Sequence, residues 1–478
     1  MHSRPAQRRP AHRPGDRLRA PRLPERPARH PSLPGRRRPL RTGRPAHPAG
    51  RRTARRPRPC TDRPAGGGHP SLVHLVRLLQ HRRTAARPGR LELDGEPVTF
   101  GPDNLPLGVF QHDDDAPRVG AALGDQVIDL SPLATAAGLD HAAVFAAPTL
   151  NAFLALGRPA WSSTRAWLIE LVRTGGVEAH LIPQSAVTMQ LPFEVADYVD
   201  FYASEQHATN LGRLFRPDAE PLLPNWKHLP VGYHGRAGTV VASGTDIARP
   251  SGQRKAPDAL APTYGPSQRL DIEVELGYVV GTPSALGKPV SVDDFREHVY
   301  GVVLVNDWSA RDIQGWEYVP LGPFLGKSFA TSISPWVVAL DALEAAAVPL
   351  PTQTPAVLPY LAGSDLVNYD ITFEVRINGE LVSTPPYRDI YWSPAQMLAH
   401  MTVNGASIRT GDLYASGTVS GTEPDQLGSL IELTKAGREP ITVGGQDYTF
   451  LQDGDEVVIT AAAGSLDLGA VSGRVLPA

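Results

Sequence analysis

Residues 270–281 read LDIEVELGYVVG, and their reading sets the fold class. Side chains in a strand repeat every two residues, so Glu273 and Glu275 share one face while Ile272, Val274 and Leu276 take the other. The run is rich in β-branched residues and closes on Gly281, the signature of a strand ended by a turn. The same pattern recurs in YDITFEVRINGELVS (369–383), GSLIELTKAG (428–437), QDYTFLQDGDEVVITAAA (446–463) and AGSLDLGAVSGRVLP (463–477). Helical spacing is confined to short stretches such as DDFREHVYGVV (293–303) and PAQMLAHM (394–401). The predicted class is therefore mainly β with some α, built around a rolled sheet.

Two carboxylates side by side repel unless a cation joins them or water hydrates both. On alternation alone, a hydrated acidic face is the better reading of Glu273 and Glu275. Asp200 in DYVDFYASEQHATN (197–210) and Asp307 in VNDWSARDIQGWEYVPLGPFLGKSF (305–329) each follow an apolar run in a polar-aromatic segment. Four carboxylates with no cysteine nearby match the oxygen-only preference of calcium or magnesium, provided that folding brings the segments together. His207 lies seven residues after Asp200 and is a possible base, although a lone histidine is more often a hydrogen-bonded structural residue. His228, His234, His298 and His400 are rivals on sequence alone. Lys327, in GPFLGKSF, could reach a substrate oxygen or simply sit in solvent. Arg311 and Gln314 share a helix face if SARDIQ is helical.

Organised sequence begins near LELDGEPVTFGPDNLPLGVF (91–110). Short β-prone runs alternate with turn residues through residues 108–133, as in a small barrel of hairpins, and LGDQV reads as a tight turn. After Leu130 the apolar spacing changes to three and four, which predicts two or three helices stopped by Gly175 and Gly176. No chemistry is evident there, and a scaffold or dimerisation role fits best.

The formal net charge of −2 over 478 residues conceals a split. Residues 1–90 hold 25 Arg, 16 Pro and no Lys against only Asp16, Glu25 and Asp62, a net of +22; the rest of the chain carries −24. Phe, Tyr, Trp, Ile, Asn and Lys are absent from this leader, which predicts disorder over residues 1–92 except for a short amphipathic helix at 71–83. A nucleic-acid arm, a transit peptide and an interaction tail are possible roles. The composition is also that of GC-rich DNA translated upstream of the true start, which is the preferred reading. The sole cysteine, Cys60, rules out an intramolecular disulfide and fits a reducing cytoplasm. No apolar run approaches the roughly 18 residues of a membrane span.

Read together, DFYASEQHATN, LLPNWKHLPVGYHGRA (222–237), LDIEVEL, residues 305–329 and ASGTVSG (415–421) resemble the fumarylacetoacetase family in order and spacing. The likeness covers roughly residues 100–478, including LPLGVF and GDQVIDL. It implies a β-diketone hydrolase that cleaves 4-fumarylacetoacetate to fumarate and acetoacetate in tyrosine catabolism. It further implies an SH3-like domain over 93–191, a mixed-β-roll catalytic domain over 192–478, and a homodimer. Carried over by motif, Asp200, Glu273, Glu275 and Asp307 would hold calcium. Asp307, Lys327 and Thr331 would form a magnesium site, the latter two through backbone oxygen. His207 would accept the proton, oriented by Glu432, and Arg311, Gln314 and Lys327 would stabilise developing negative charge. Tyr202, Arg216, Tyr233, Gln314, Tyr318 and Thr418 would contact the β-diketo acid substrate. Ala330 departs from the glycine expected before Thr331. The alternatives are an acylpyruvate hydrolase or decarboxylase of the same superfamily, which would usually lack the N-terminal domain, or a nucleic-acid binder acting through the leader. The acidic body gives the latter no support, so no nucleic-acid or membrane partner is expected.

Overall fold

A computed structural model describes residues 100–478. The expectations placed on the leader, its 71–83 helix included, lie outside the described residues. Strands β1 (Leu107–His112), β2 (Arg118–Leu123) and β3 (Gln126–Asp129) form an antiparallel meander. The expected turn falls at Gly124, whose φ of 60° suits a residue without a Cβ. The period changes at Leu130, where α1 (Leu130–Ala137) begins; the Asp129 carboxylate caps it and Gly138 ends it at φ 65°. Further on, α2 (Arg158–Arg173) buries Trp161, Thr164 and Leu168 and stops just before Gly175 and Gly176.

The C-terminal region includes β4 (Tyr198–Phe201), α3 (Glu205–Phe215), β5 (Val274–Val280), β6 (Val299–Asp307), α4 (Arg311–Glu317), β7 (Thr331–Ile333), β8 (Trp336–Ala339), α5 (Pro394–Thr402), β9 (Leu413–Ala415) and α6 (Leu430–Leu433). The main sheet runs β3-β2-β1-β8-β6-β5-β9-β4. Leu107 and Gly108 of β1 pair with Val337 and Trp336 of β8, so the sheet passes without a break from the N-terminal meander into the C-terminal region. A second sheet, made from residues 372–377, 380–383, 456–463, 466–476 and 247–248, packs against it through one shared apolar core.

The fold is mainly β with some α, as its sequence predicts. Three local expectations are corrected, the first being the strand expected in GSLIELTKAG, which instead forms the helical turn α6 (Leu430–Leu433) opened by Ser429. The hydrated acidic face does not exist, because every residue of β5 is buried and Glu273 and Glu275 are 5% and 0% exposed. A sheet covered on both faces leaves no wet side. In DDFREHVYGVV the helix is a single turn, Phe295–His298, after which the β-branched run enters β6. Ala330 is a core residue and is not among the positions of positive φ, so its methyl group is accommodated without strain.

Candidate active site

Strand register brings the four acids together. Ala415 of β9 pairs on one side with Gly277 and on the other with Asp200, while Val274 pairs with Asn306. Asp200, the Glu273–Glu275 segment and Asp307 therefore lie near one rim of the sheet, on β4, at the start of β5 and at the end of β6. The Asp307 amide donates to the Glu273 carbonyl at 3.1 Å, which continues the pairing past the end of β5. Each carboxylate offers an oxygen, and these oxygens all lie within 4.8 Å of one another. All four residues are buried.

The hydrogen-bond accounting divides them into two pairs. Asp307 accepts from Thr331 Oγ1 at 2.7 Å, Tyr233 Oη at 3.2 Å and Lys327 Nζ at 2.6 Å. Glu273 accepts from Arg311 at 2.7 Å and also from Lys327 Nζ. By contrast, Asp200 Oδ1 and both oxygens of Glu275 have no hydrogen-bond partner among the described residues. Burial pushes Asp200 and Glu275 well above the usual carboxylate range, and the neighbouring acids add to the shift. Burial also raises Asp307, against the opposing charge of Lys327. Burial works in the same direction on Glu273, but Lys327 and Arg311 outweigh it and hold that group below the usual range. A buried carboxylate without a donor is costly, and a cation in an oxygen-only cage is the physical remedy. The donor set fits a hard divalent ion.

Beside this cluster, α3 carries His207, whose backbone N–H is capped by Ser204 Oγ at 3.2 Å. His207 Nδ1 lies 2.6 Å from Glu432 Oε2 on α6, and both side chains are buried. A carboxylate accepts, so Nδ1 carries the proton and Nε2 keeps its lone pair. Glu432 also accepts from Asn210 at 3.0 Å, Ser420 at 3.0 Å and Ser429 at 2.6 Å. Burial alone would raise it, yet His207 and these donors hold it below the usual carboxylate range. The Tyr202 ring meets the His207 ring edge-on at 5.3 Å. The rival histidines are placed otherwise: His298 lies against the Thr282 carbonyl, His400 against the Tyr360 hydroxyl, and His228 and His234 are exposed.

SARDIQ enters helix α4, and Arg311 Nη1 lies 3.4 Å from Gln314 Oε1. Lys327 and Thr331, expected to meet the site through backbone oxygen, both reach Asp307 with their side chains. Arg311 Nη2, Arg216 Nε and Thr418 Oγ1 are buried and have no partner among the described residues, so three of the residues expected to act on substrate have capacity to spare. Tyr233 and Lys327 line a cleft of about 240 Å³ with Tyr198, His234 and Phe324. Tyr318, at the end of α4, is exposed. Sequence reasoning missed Asp271, Asn210, Ser420 and Ser429. The alternation that pairs Glu273 with Glu275 also includes Asp271, and that signal was available.

Comparison with known proteins extends this picture over the whole described region. Residues 103–192 match the family model described as Fumarylacetoacetase N-terminal, and residues 197–476 match Fumarylacetoacetate (FAA) hydrolase C-terminal. The human fumarylacetoacetase is 47% identical over 408 residues, covering 80% of this chain and 97% of its own. The enzyme of that name from Oryza sativa subsp. japonica is 45% identical over 408 residues, covering 79% and 95%. The one from Caenorhabditis elegans is 46% identical over 404 residues, covering 79% and 97%. Among solved structures, a fumarylacetoacetate hydrolase from Exiguobacterium antarcticum is 17% identical, covers 78% of this chain and 100% of its own, and has a TM-score of 0.49, too loose a likeness to add to the argument.

Proposed function

The chain belongs to the fumarylacetoacetase family, and from that premise we propose that it hydrolyses 4-fumarylacetoacetate to fumarate and acetoacetate, the last step of tyrosine and phenylalanine breakdown. The observation that carries this reading is the convergence of four buried carboxylates within 4.8 Å of one another, with the His207–Glu432 pair set beside them.

Hydrolysis of a carbon–carbon bond needs a hydroxide equivalent and a stabilised carbanion leaving group. His207 Nε2 takes a proton from water, and Glu432 fixes the ring and stabilises the imidazolium that forms. The water oxygen adds to the carbonyl carbon on the fumaryl side. The carbon–carbon bond then breaks, and its electron pair leaves with the acetoacetate half as an enolate, which is protonated to finish the turnover. Arg311, Lys327 and Gln314 are assigned to the developing oxyanion charge. Tyr202, Arg216, Tyr233, Tyr318 and Thr418 are assigned to substrate. Asp200, Glu273, Glu275 and Asp307 would hold calcium, and Asp307, Lys327 and Thr331 would border a magnesium ion. A bound divalent cation would polarise the carbonyl oxygens of the diketone and favour the enolate.

We assign the protein to the cytoplasm as a homodimer. The single cysteine is compatible with a reducing compartment, and no described helix is long and apolar enough to cross a membrane. Val319, Leu321, Phe324 and Leu325 are exposed within one short loop, an apolar patch that a second copy would cover. Light scattering of the purified chain tests the dimer, and a monomer at micromolar concentration would refute it. The functional test follows loss of fumarylacetoacetate absorbance beside a panel of acylpyruvates. Turnover of the acylpyruvates alone would overturn the assignment.

A further inference from the structure

Asp271 is fully buried two residues before Glu273, in a short antiparallel pairing with Ser309. Its Oδ1 accepts from the amides of Ile272 at 2.8 Å and Leu430 at 2.7 Å. Its Oδ2 accepts from the Ile431 amide at 3.0 Å and from Arg311 Nε at 2.7 Å. Four donors meet one carboxylate from three different segments. Leu430 and Ile431 open α6, and the next residue is Glu432. Arg311 opens α4, and its Nη1 continues to Glu273 at 2.7 Å while its Nη2 is buried with no partner among the described residues.

We propose that Asp271 is the positioning residue of the reaction, holding in one register the two groups that must act together. Through Arg311 Nε it fixes the plane of the guanidinium and leaves Nη2 free for negative charge that develops on substrate. Through the two amides of α6 it sets the turn that presents Glu432, and hence His207. Three of the four bonds to the Asp271 carboxylate come from the frames of Arg311 and Glu432, which makes it a positioning group. A side chain that only stabilised the fold would not need to join these two segments. The inference rests on the hydrolytic function proposed above.

The test uses the full chain and fumarylacetoacetate as substrate. A wild-type protein with no turnover sinks the functional reading itself; with wild-type turnover in hand, the variants address Asp271 alone. Asp271→Asn keeps the shape but turns an amide toward the donors from Arg311 or Ile431. It should lower kcat by about 10- to 100-fold, the usual range for residues that orient catalytic groups, with KM changed less than about threefold. In a Glu432→Gln background the same change should cost about threefold or less, because part of what Asp271 acts through is already lost. Asp271→Ser retains an acceptor for the α6 amides and replaces Asp271→Asn if the latter does not fold. A kcat within about threefold of wild type, or a loss that multiplies in full in the Glu432→Gln background, overturns the proposal. So does failure of both variants to fold by circular dichroism, which would make Asp271 a residue of the fold alone.

Discussion

His207 Nδ1 stands 2.6 Å from Glu432 Oε2 across 225 residues of sequence, and the hydrogen bond fixes which ring nitrogen can act as a base. Replacing His207 by Ala should lower kcat by at least about 10²- to 10⁴-fold, the range of a positioned acid–base group. The fold should survive, because Glu432 retains Asn210, Ser420 and Ser429 as donors. Initial rates beside a far-ultraviolet circular dichroism spectrum decide it. Near-normal turnover would remove His207 from the mechanism.

The unpartnered oxygens of Asp200 and Glu275 make a prediction about metal. Chelation should abolish activity and lower the melting temperature, and calcium or magnesium should restore both. At about 100 times Kd the added stability is roughly 2.7 kcal/mol. At a pH high enough to ionise Glu275 in the metal-free protein, Glu275→Gln should raise the melting temperature by removing one uncompensated buried charge, and it should shrink the shift caused by calcium. Scanning fluorimetry with chelator and then with each ion makes the comparison. Rescue by zinc alone would contradict an oxygen-only site.

The same acids set the pH dependence of the metal-free protein. Burial places the folded-state pKa of Asp200, Glu275 and Asp307 above the unfolded value, so the native state binds protons more tightly than the unfolded chain. Their contribution is fully present below the unfolded pKa near 4 and is lost as pH rises through the raised values. Glu432 and Glu273 have the opposite sign, but their contribution is lost only as pH falls through values below the usual carboxylate range. In chelator the melting temperature should therefore rise between pH 8 and about pH 5. Calcium should flatten this slope. A melting temperature that falls over that range in chelator would refute the assignment.

How far these features were legible in sequence depends on what each required. Strand alternation was enough to put Glu273 and Glu275 on one face, and Gly124 and Gly138 marked the turn and helix stop where the structure has them. Burial was not legible, because the acids looked solvated until the second sheet and the neighbouring strands covered them. Convergence is a matter of register: Asp200 meets Glu275 only because Ala415, more than 100 residues later, pairs with both flanking strands. Periodicity cannot carry that information, whereas resemblance to a family can. Glu432 shows the same limit, since its partners His207 and Asn210 lie on a helix over 200 residues earlier.

ASGTVSG owes one of its glycines to the same convergence. Gly417 has φ 74°, and a Cβ built on it would lie 2.2 Å from the backbone oxygen of Phe201, the residue after Asp200. Two penalties act together in Gly417→Ala. The left-handed backbone costs about 1–2 kcal/mol for a residue with a side chain. The clash is with main chain, which cannot swing aside as a flexible side chain would, and overpacking of this kind adds about 1–3 kcal/mol. The variant should therefore lose roughly 2–5 kcal/mol of stability, read from the shift in its denaturation midpoint. Relief of the clash must move either β4 or residue 418, so Thr418 or Asp200 is displaced along with it. The surviving folded fraction should then show a raised KM or a weaker calcium-induced shift in melting temperature. A variant with wild-type stability, KM and calcium response would show that this close approach of two backbones does not organise the site.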